Sequence, residues 1–284
     1  FKQKTAYEIR LSLVGSEMCI RDRSWHHIST ALSESHFVIA PDLRGHGDSG
    51  WSPPYSDQFL AADVLNLMDH CGFEVTSVVA HSLGSHAASF AAGCFPDRVE
   101  RLALVEGFGP PRKAGAVDGE QWRQQTAQFI EIARTVPAQR SFPSIDAVLE
   151  RFRKLYPNLD AATASLIVEN SVRHTESGVE WKWDPQTRDW ITTADPDRFE
   201  EAWEGIQCPT LAILGRESYS RFWSKLMPPG NGYFGMDLSP VSEEIASPRV
   251  RRFRDCELEI IDDCGHMIHY EQPQKLLDVL TSFL

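Results

Sequence analysis

Three short apolar runs, separated by segments of helical periodicity, constrain the fold of this chain more than any other sequence feature. The runs cover residues 36–42, 76–80 and 99–107. Their central residues are continuously apolar rather than alternating, which is typical of strands buried on both faces of a sheet. Between them, segment 57–71 has apolar residues at helical spacing, and segment 85–95 is a helix-forming stretch of small residues. This alternation predicts a parallel sheet with helices on both faces.

The sheet pattern is interrupted in the middle of the chain and resumes near its C-terminal end. The expected helices of the interruption are 120–134, 144–156 and 160–175, and the expected strands after it are 209–215 and 256–262. We therefore predict a domain core formed by residues 24–107 and 206–284. Residues 108–205 are predicted to form a helical cap inserted between two strands of that core.

The composition fits a globular protein with one α/β domain and an insertion. The chain has 284 residues, of which 42% are hydrophobic, and a formal net charge of −12. An acidic surface opposes binding to nucleic acid or to anionic membranes. No apolar run reaches the roughly 18 residues that a transmembrane helix needs. We expect a cytoplasmic protein with a small-molecule substrate and no nucleic-acid or membrane partner; the sequence leaves the oligomeric state open.

The six cysteines of the chain lack the spacing of a disulfide framework or a metal site. They are Cys19, Cys71, Cys94, Cys208, Cys256 and Cys264. Isolated cysteines of this kind behave as small hydrophobic residues, so we interpret them as reduced and mostly buried thiols. No phosphate-binding loop or nucleotide-binding fingerprint is recognisable either. We therefore expect neither a metal nor a cofactor.

The turn between the second apolar run and the small-residue helix carries the candidate nucleophile. It reads Ala80-His81-Ser82-Leu83-Gly84. A sharp strand-to-helix turn needs small residues around its central residue, and Ala80 and Gly84 supply them. Such a turn exposes the Ser82 hydroxyl above the sheet and directs the backbone amide of Leu83 towards a developing oxyanion. The alternative is that Ser82 only caps the following helix.

A serine needs an adjacent base to act as a nucleophile, and a loop near the C-terminus offers one. His266 follows Gly265 after the last expected strand and precedes the last helix. The carboxyl end of a parallel strand is where open α/β sheets place their sites. We predict that His266 is the general base, although it could be an ordinary surface-loop histidine. The nearby His269 is interpreted as structural.

Three segments together resemble the α/β-hydrolase superfamily. They are the loop DLRGHGDSG at 42–50, the turn AHSLG at 80–84 and the segment GHMIHYEQP at 265–273. The resemblance covers residues 24–284 and is greatest to the serine-hydrolase-like proteins. It implies a serine hydrolase that cleaves a small-molecule ester or related acyl bond through a Ser-His-acid triad and an acyl-enzyme, without a cofactor.

Other functions on the same fold remain open from the sequence. A cofactor-independent oxygenase or C–C hydrolase can retain a Ser-His pair, and a non-catalytic member can bind a ligand without turnover. Dehalogenases and epoxide hydrolases of this fold use an Asp at the elbow, which Ser82 opposes.

The acid of the triad is the least determined member. The resemblance implies an Asp after run 209–215, but that position is Ser218. Glu217 is one residue away from it. Glu106 ends run 99–107, where haloalkane dehalogenases carry their acid, and a carboxylate that closes an apolar run needs a partner. We favour Glu106 with Glu217 as the alternative acid; a third interpretation is that Glu106 only accepts backbone hydrogen bonds.

Aromatic and histidine side chains near the site are candidates for the substrate pocket. His81 flanks the nucleophile, and the cap contributes Trp122, Phe129 and Trp183. These side chains could surround an apolar acyl or alcohol group. The alternative interpretation is that they pack locally in the core.

Residues 1–23 differ from the rest of the chain, because they show no clean period of either helix or strand. They resemble translated sequencing-adapter DNA, and we interpret them as a non-native segment. The resemblance to the superfamily then implies that its first strands are missing, including one between the strands at 36–42 and 76–80. We expect a gap in the sheet and no second oxyanion donor, and hence an unstable and poorly active chain.

Overall fold

The computed structural model describes residues 9–15, 25–108, 138–188, 196–223 and 239–284, together with the single positions 120, 123 and 127. The first segment is described by its backbone alone. Six parallel strands form the central sheet, in the spatial order β2-β1-β3-β4-β8-β9. These strands are β1 (Ile9–Gly15), β2 (Phe37–Ile39), β3 (Thr76–Ser82), β4 (Val99–Val105), β8 (Thr210–Gly215) and β9 (Cys256–Ile261). The predicted α/β-hydrolase fold is confirmed.

Helices cover both faces of this sheet. Those of the core are α1 (His26–Leu32), α2 (Asp57–His70), α3 (Leu83–Cys94), α7 (Glu243–Val250), α8 (Ile268–Glu271) and α9 (Pro273–Phe283). Val78 and Ala80 of β3 pack with α2 and α3 on one face, whereas Val79 packs with α1 and α9 on the other. Because successive residues of a strand point to opposite faces, this double coverage explains why β3 is buried along its whole length.

Strand β1 contradicts the expected gap in the sheet. It lies between β2 and β3 and pairs in parallel with both, so that Leu11 is opposite Ile39 on one side and Val78 on the other. The physical reason is that two separated parallel strands leave backbone groups unpaired, and an extended segment that satisfies them is favoured. The sequence of β1 contains β-prone residues that suit this position. The non-native origin of residues 1–23 stays a prediction.

The insertion between β4 and β8 contains two of the expected helices, a third helix before β8 and a small sheet. Its helices are α4 (Ile145–Leu155), α5 (Ala161–Ser171) and α6 (Pro196–Gly205), and its strands are β5 (Ser141–Phe142), β6 (Val172–Thr175) and β7 (Gly178–Trp181). The strands form an antiparallel sheet in the order β5-β7-β6. The sequence pattern predicted that α5 would continue to residue 175. In the structure it ends at Ser171, because the next four residues pair with β7 across a two-residue turn. The helix expected at 120–134 lies almost entirely outside the described residues.

The insertion is anchored to the core through the loop at 42–50. Gly47 donates its amide to the carbonyl of Lys182 at 2.7 Å, and Asp184 donates its amide to the carbonyl of Gly45 at 2.7 Å. The hydroxyl of Tyr55 donates to Asp184 at 2.6 Å in a buried hydrogen bond. Gly45 has φ +75°, and a Cβ there would lie 2.5 Å from the Tyr55 ring. A glycine is therefore required where the cap contacts the core.

Within the described part of the chain, no helix is both long enough and apolar enough to cross a membrane.

Candidate active site

Ser82 lies at the junction between β3 and α3 in a strained backbone conformation. Its φ is +52° and its ψ is −120°, although it is not a glycine. Such a conformation costs on the order of 1–3 kcal/mol and persists only where the surrounding structure holds it. Here Ser85 donates its hydroxyl to the carbonyl of Ala80 at 2.8 Å, which ties α3 back to β3. The turn thus holds the Ser82 hydroxyl at the carboxyl end of the sheet, as the sequence predicts.

The backbone amide of Leu83 is the first of α3, a helix of 12 residues. The first amides of a helix have no partner within it, and the helix dipole adds a positive potential at that end. An oxyanion formed at Ser82 would therefore find a donor there. The residues that follow β1, in which a second donor would be sought, lie outside the described residues.

His266 lies in the loop between β9 and α8 and contacts Ser82 directly. Its Nε2 is 2.9 Å from the Ser82 hydroxyl oxygen, and the residue is only 2% exposed. Burial lowers the pKa of His266 to about 3, because it penalises the charged imidazolium. The imidazole is therefore neutral at physiological pH, which is the form that can accept a proton.

Glu106 faces the other nitrogen of the same imidazole. Its Oε2 is 3.0 Å from Nδ1 of His266, and its Oε1 accepts a hydrogen bond from the amide of Gly215 at 2.6 Å. The hydroxyl of Ser218 donates to Oε2 as well. Burial raises the pKa of Glu106 to about 7, and these two hydrogen bonds act against that rise. A carboxylate at Nδ1 favours the tautomer in which Nε2 is free to accept the Ser82 proton.

Glu217, the alternative acid, points elsewhere. Its carboxylate pairs with Arg221, one turn further along the chain. The position at which the superfamily resemblance implied an Asp is Ser218, and its side chain is a donor to Glu106 rather than to His266. The structure therefore brings Ser82, His266 and Glu106 together and leaves Glu217 apart.

Two glycines allow the strand ends around Glu106 to approach one another. A Cβ on Gly215 would lie 2.3 Å from the carbonyl oxygen of Gly265, in the loop that carries His266. A Cβ on Gly107 would lie 2.6 Å from the Cβ of Ser85. Real Cβ atoms do not approach other heavy atoms so closely, so a side chain at either position would displace the base or the acid.

The placement of His81 favours local packing, the alternative interpretation, over a place in the pocket. The residue is completely buried, and its Nε2 donates to the backbone carbonyl of His266 at 2.8 Å. Successive side chains of β3 alternate between faces, and the ring of His81 packs against those of His266 and His269, with centroids 4.8 and 4.7 Å away. His269 is also buried and stacks on Trp25, with ring centroids 5.3 Å apart, in agreement with a structural role.

The cap aromatics predicted for the pocket have different outcomes. Trp183 is buried in the apolar cluster of the cap and forms an isolated β-bridge with His46 of the core loop. This placement favours packing over a role in the pocket. Trp122 and Phe129 lie outside the described residues.

One neighbour of the base was missed by sequence reasoning. The ring of Phe222 stacks on the imidazole of His266, with centroids 3.9 Å apart and an interplanar angle of 4°. Phe222 belongs to a short π-helix, Tyr219–Trp223, that follows β8. Nothing in the local sequence distinguishes this phenylalanine from the other aromatic residues, because its contact depends on how two loops meet.

No group of three or more His, Cys, Asp or Glu side chains in the described ranges is arranged to hold a metal ion. The site as described consists of a hydroxyl, an imidazole, a carboxylate and a helix amide. Such a set can transfer a proton and stabilise an oxyanion.

Comparisons with known proteins agree with this fold. The model of the Alpha/beta hydrolase family matches residues 18–279. The sn-1-specific diacylglycerol lipase ABHD11 of Mus musculus is 28% identical over 257 residues, which cover 87% of this chain and 71% of that protein. The soluble epoxide hydrolase of Corynebacterium sp. (strain C12) is 26% identical over 272 residues, which cover 91% and 84%.

A solved structure shows the same architecture at lower identity. The thioesterase domain from the curacin biosynthetic pathway superposes with a TM-score of 0.76 at 21% identity, covering 97% of this chain and 91% of that domain. At this identity the likeness shows the fold alone. The family model, by contrast, matches most of the chain. The chain therefore belongs to the α/β-hydrolase family.

Proposed function

We propose that this chain is a serine hydrolase that cleaves an ester or a related acyl bond in a small molecule. The observation that carries the proposal is the continuous contact from nucleophile to acid. The Ser82 hydroxyl is 2.9 Å from Nε2 of His266, and Nδ1 of the same ring is 3.0 Å from Glu106. A serine, a neutral imidazole and a buried carboxylate in this order form the arrangement that activates a hydroxyl.

The proposed reaction has two stages. In the first, His266 takes the proton from Ser82 while the hydroxyl oxygen attacks the acyl carbon, and the oxyanion accepts a hydrogen bond from the Leu83 amide. The imidazolium then gives its proton to the leaving alcohol, and an acyl-enzyme remains. In the second stage, His266 takes a proton from water, the resulting hydroxide attacks the acyl carbon, and Ser82 is released with its proton restored. No cofactor enters either stage.

The names of the relatives support hydrolase activity but differ in the bond that is cleaved, so we infer the bond type from the residues of the site. One is named a lipase and another an epoxide hydrolase. Epoxide hydrolases of this fold use an Asp at the elbow, and Ser82 stands there in this chain. An activated hydroxyl favours acyl transfer, which is why we place this chain with the ester-cleaving members of the family.

Covalent labelling with a fluorophosphonate tests this proposal. The reagent reacts with activated serines and forms a stable adduct that mass spectrometry can locate. We expect the adduct on Ser82, no labelling of Ser82→Ala, and normal labelling of Ser89→Ala. Ser89 is a matched control because it is a buried serine of α3 whose hydroxyl only donates to the carbonyl of Ser85.

The labelling has outcomes that favour the other functions. A folded chain that is not labelled at Ser82 would contradict the hydrolase and support a non-catalytic ligand-binding role. Labelling without turnover of any ester, together with oxygen consumption or C–C cleavage, would support an oxygenase or C–C hydrolase. Circular dichroism of each variant establishes that a negative result is not caused by unfolding.

A further inference from the structure

Phe222 covers one face of the candidate general base. The two rings are nearly parallel, at 4°, and their centroids are 3.9 Å apart, which is closer than the about 4.5–7 Å typical of neutral aromatic pairs. Two neutral aromatic rings prefer an offset or an edge-to-face arrangement, because their negative faces repel each other. A parallel stack with the centroids this close is therefore unusual for two neutral rings.

The same stack becomes favourable when one ring carries a positive charge. A cation over the face of a phenylalanine is attracted by the quadrupole of the ring, and this attraction increases in a site without water. His266 is 2% exposed, so the contact is shielded from solvent. In the proposed mechanism the imidazole becomes an imidazolium during each stage, and Glu106 contacts that cation only at its Nδ1 edge. Phe222 lies against the face of the ring.

We propose that Phe222 stabilises the imidazolium form of His266 by a cation–π contact and thereby accelerates the two steps in which His266 takes a proton, from Ser82 and from water. This inference rests on the proposed function, since it concerns the charge that His266 gains from Ser82. Phe222 gives and takes no proton. It is a positioning residue that acts through His266 and contacts none of the reacting bonds in the described structure.

Several other titratable groups surround His266 and also influence its protonation. Glu106 contacts Nδ1, and His81 contacts the ring from β3 with centroids 4.8 Å apart. The remaining groups are His86 of α3, His269 and Glu271 of α8, and Arg221, which lies beside Gly265. A useful experiment changes the electrons of the Phe222 ring and leaves all of these groups in place.

Stepwise fluorination of the Phe222 ring meets this requirement. Mono-, di- and trifluorophenylalanine can be inserted at position 222 by codon suppression, and each fluorine weakens the negative face of the ring with little change of shape. We expect kcat for a p-nitrophenyl ester to fall at each step, by about five- to tenfold for the trifluorinated ring, with little change in KM. The acidic limb of the pH profile should move to lower pH in parallel, because a less stable imidazolium lowers the pKa of His266.

Fluorination of Phe253 is the matched control. That ring is buried against Trp203 and makes no contact with His266, so its fluorination should leave both kcat and the pH profile unchanged. Phe222→Tyr should retain the rate and Phe222→Leu should reduce it, because only the former keeps an aromatic face. These two variants separate the π contact from simple packing.

The outcomes distinguish this inference from the proposed function. If Ser82 is labelled by a fluorophosphonate but kcat does not depend on the number of fluorines at position 222, the cation–π role of Phe222 is wrong and the serine hydrolase stands. If Ser82 is not labelled in the folded chain, the proposed function is wrong, and the inference about Phe222, which rests on it, is wrong as well. A graded loss of kcat with an unchanged acidic limb would also overturn the inference.

Discussion

Glu106 and Ser218 illustrate how single residues define the candidate site. Glu106 adopts a φ of +55° directly after β4, which turns its carboxylate back towards the loop of His266. Oε2 accepts hydrogen bonds from Nδ1 of His266 and from the Ser218 hydroxyl, and Oε1 accepts one from the Gly215 amide. A buried carboxylate without such donors would be costly. Ser218 thus takes part in the site as a donor to the acid, at the position where the resemblance implied the acid itself.

Replacing each candidate acid tests its assignment. We expect Glu106→Gln to lower kcat about a thousandfold or more, because an amide donates to Nδ1 and favours the wrong imidazole tautomer. Glu217→Gln should change kcat by less than about twofold, since it removes only a partly exposed ion pair. Steady-state kinetics with a p-nitrophenyl ester measures both. A large loss in the second variant and none in the first would reverse the assignment.

At the scale of elements, the loop at 42–50 connects the cap to the core. Its backbone pairs with Lys182 and Asp184, which follow β7, and the buried hydroxyl of Tyr55 completes the contact. This loop is one of the segments that carry the resemblance, and the structure shows a structural role for it: its two glycines with positive φ, Gly45 and Gly47, bring the backbone close to the cap. Removing one polar partner here should weaken the attachment of the cap and leave the central sheet intact.

Tyr55→Phe removes a single hydroxyl from this contact. We expect it to lower the free energy of unfolding by about 2 kcal/mol, because the buried Asp184 loses a charged hydrogen bond. Urea denaturation measures the change, and native-state hydrogen exchange should show faster exchange in β6 and β7. Thr175→Val is the control, since it removes a hydroxyl from the partly exposed last residue of β6 and should cost less than about 0.5 kcal/mol. Equal stabilities of both variants would show that the Tyr55 contact is not important.

At the scale of the whole molecule, an unusual proportion of the histidines is buried and neutral. Burial lowers the pKa of five histidines, and it is the first cause in each case: His46, His81, His86, His266 and His269. When the chain unfolds, each regains its ordinary pKa near 6.5 and takes up a proton below that pH. The unfolded state then binds more protons than the native state, so acid favours unfolding.

The stability of the protein should therefore decrease as the pH falls from 7 to 5. Each buried histidine contributes up to about 2 kcal/mol of this loss at pH 5. Glu106 acts in the opposite direction, since burial raises its pKa and its protonation stabilises the native state as the pH falls. Chemical denaturation at several pH values measures the free energy of unfolding and hence the sum of these opposing contributions. A stability that is the same at pH 5 and pH 7 would show that these histidines are protonated or accessible in the native state.

The sequence by itself determined the parallel sheet, the sharp turn at Ser82 and the position of His266 after the last strand. These features depend on local patterns, namely continuous apolar runs, small residues in a turn and a glycine before a histidine. Each pattern spans only a few neighbouring residues, and the backbone conformation that it favours is largely independent of the rest of the chain. For that reason the fold class and the candidate nucleophile and base could be predicted, and a carboxylate that closes an apolar run favoured Glu106 as the acid.

Only the tertiary structure decided which side chains meet across the fold. Glu106 is separated from His266 by 160 positions, and its contact depends on a positive φ and on the approach of Gly215 to Gly265. The backbone of β1 likewise found its place by completing hydrogen bonds between two distant strands. The role of His81 behind the base and the stacking of Phe222 follow from how loops pack. Such contacts join residues far apart in the chain, and no local pattern encodes them.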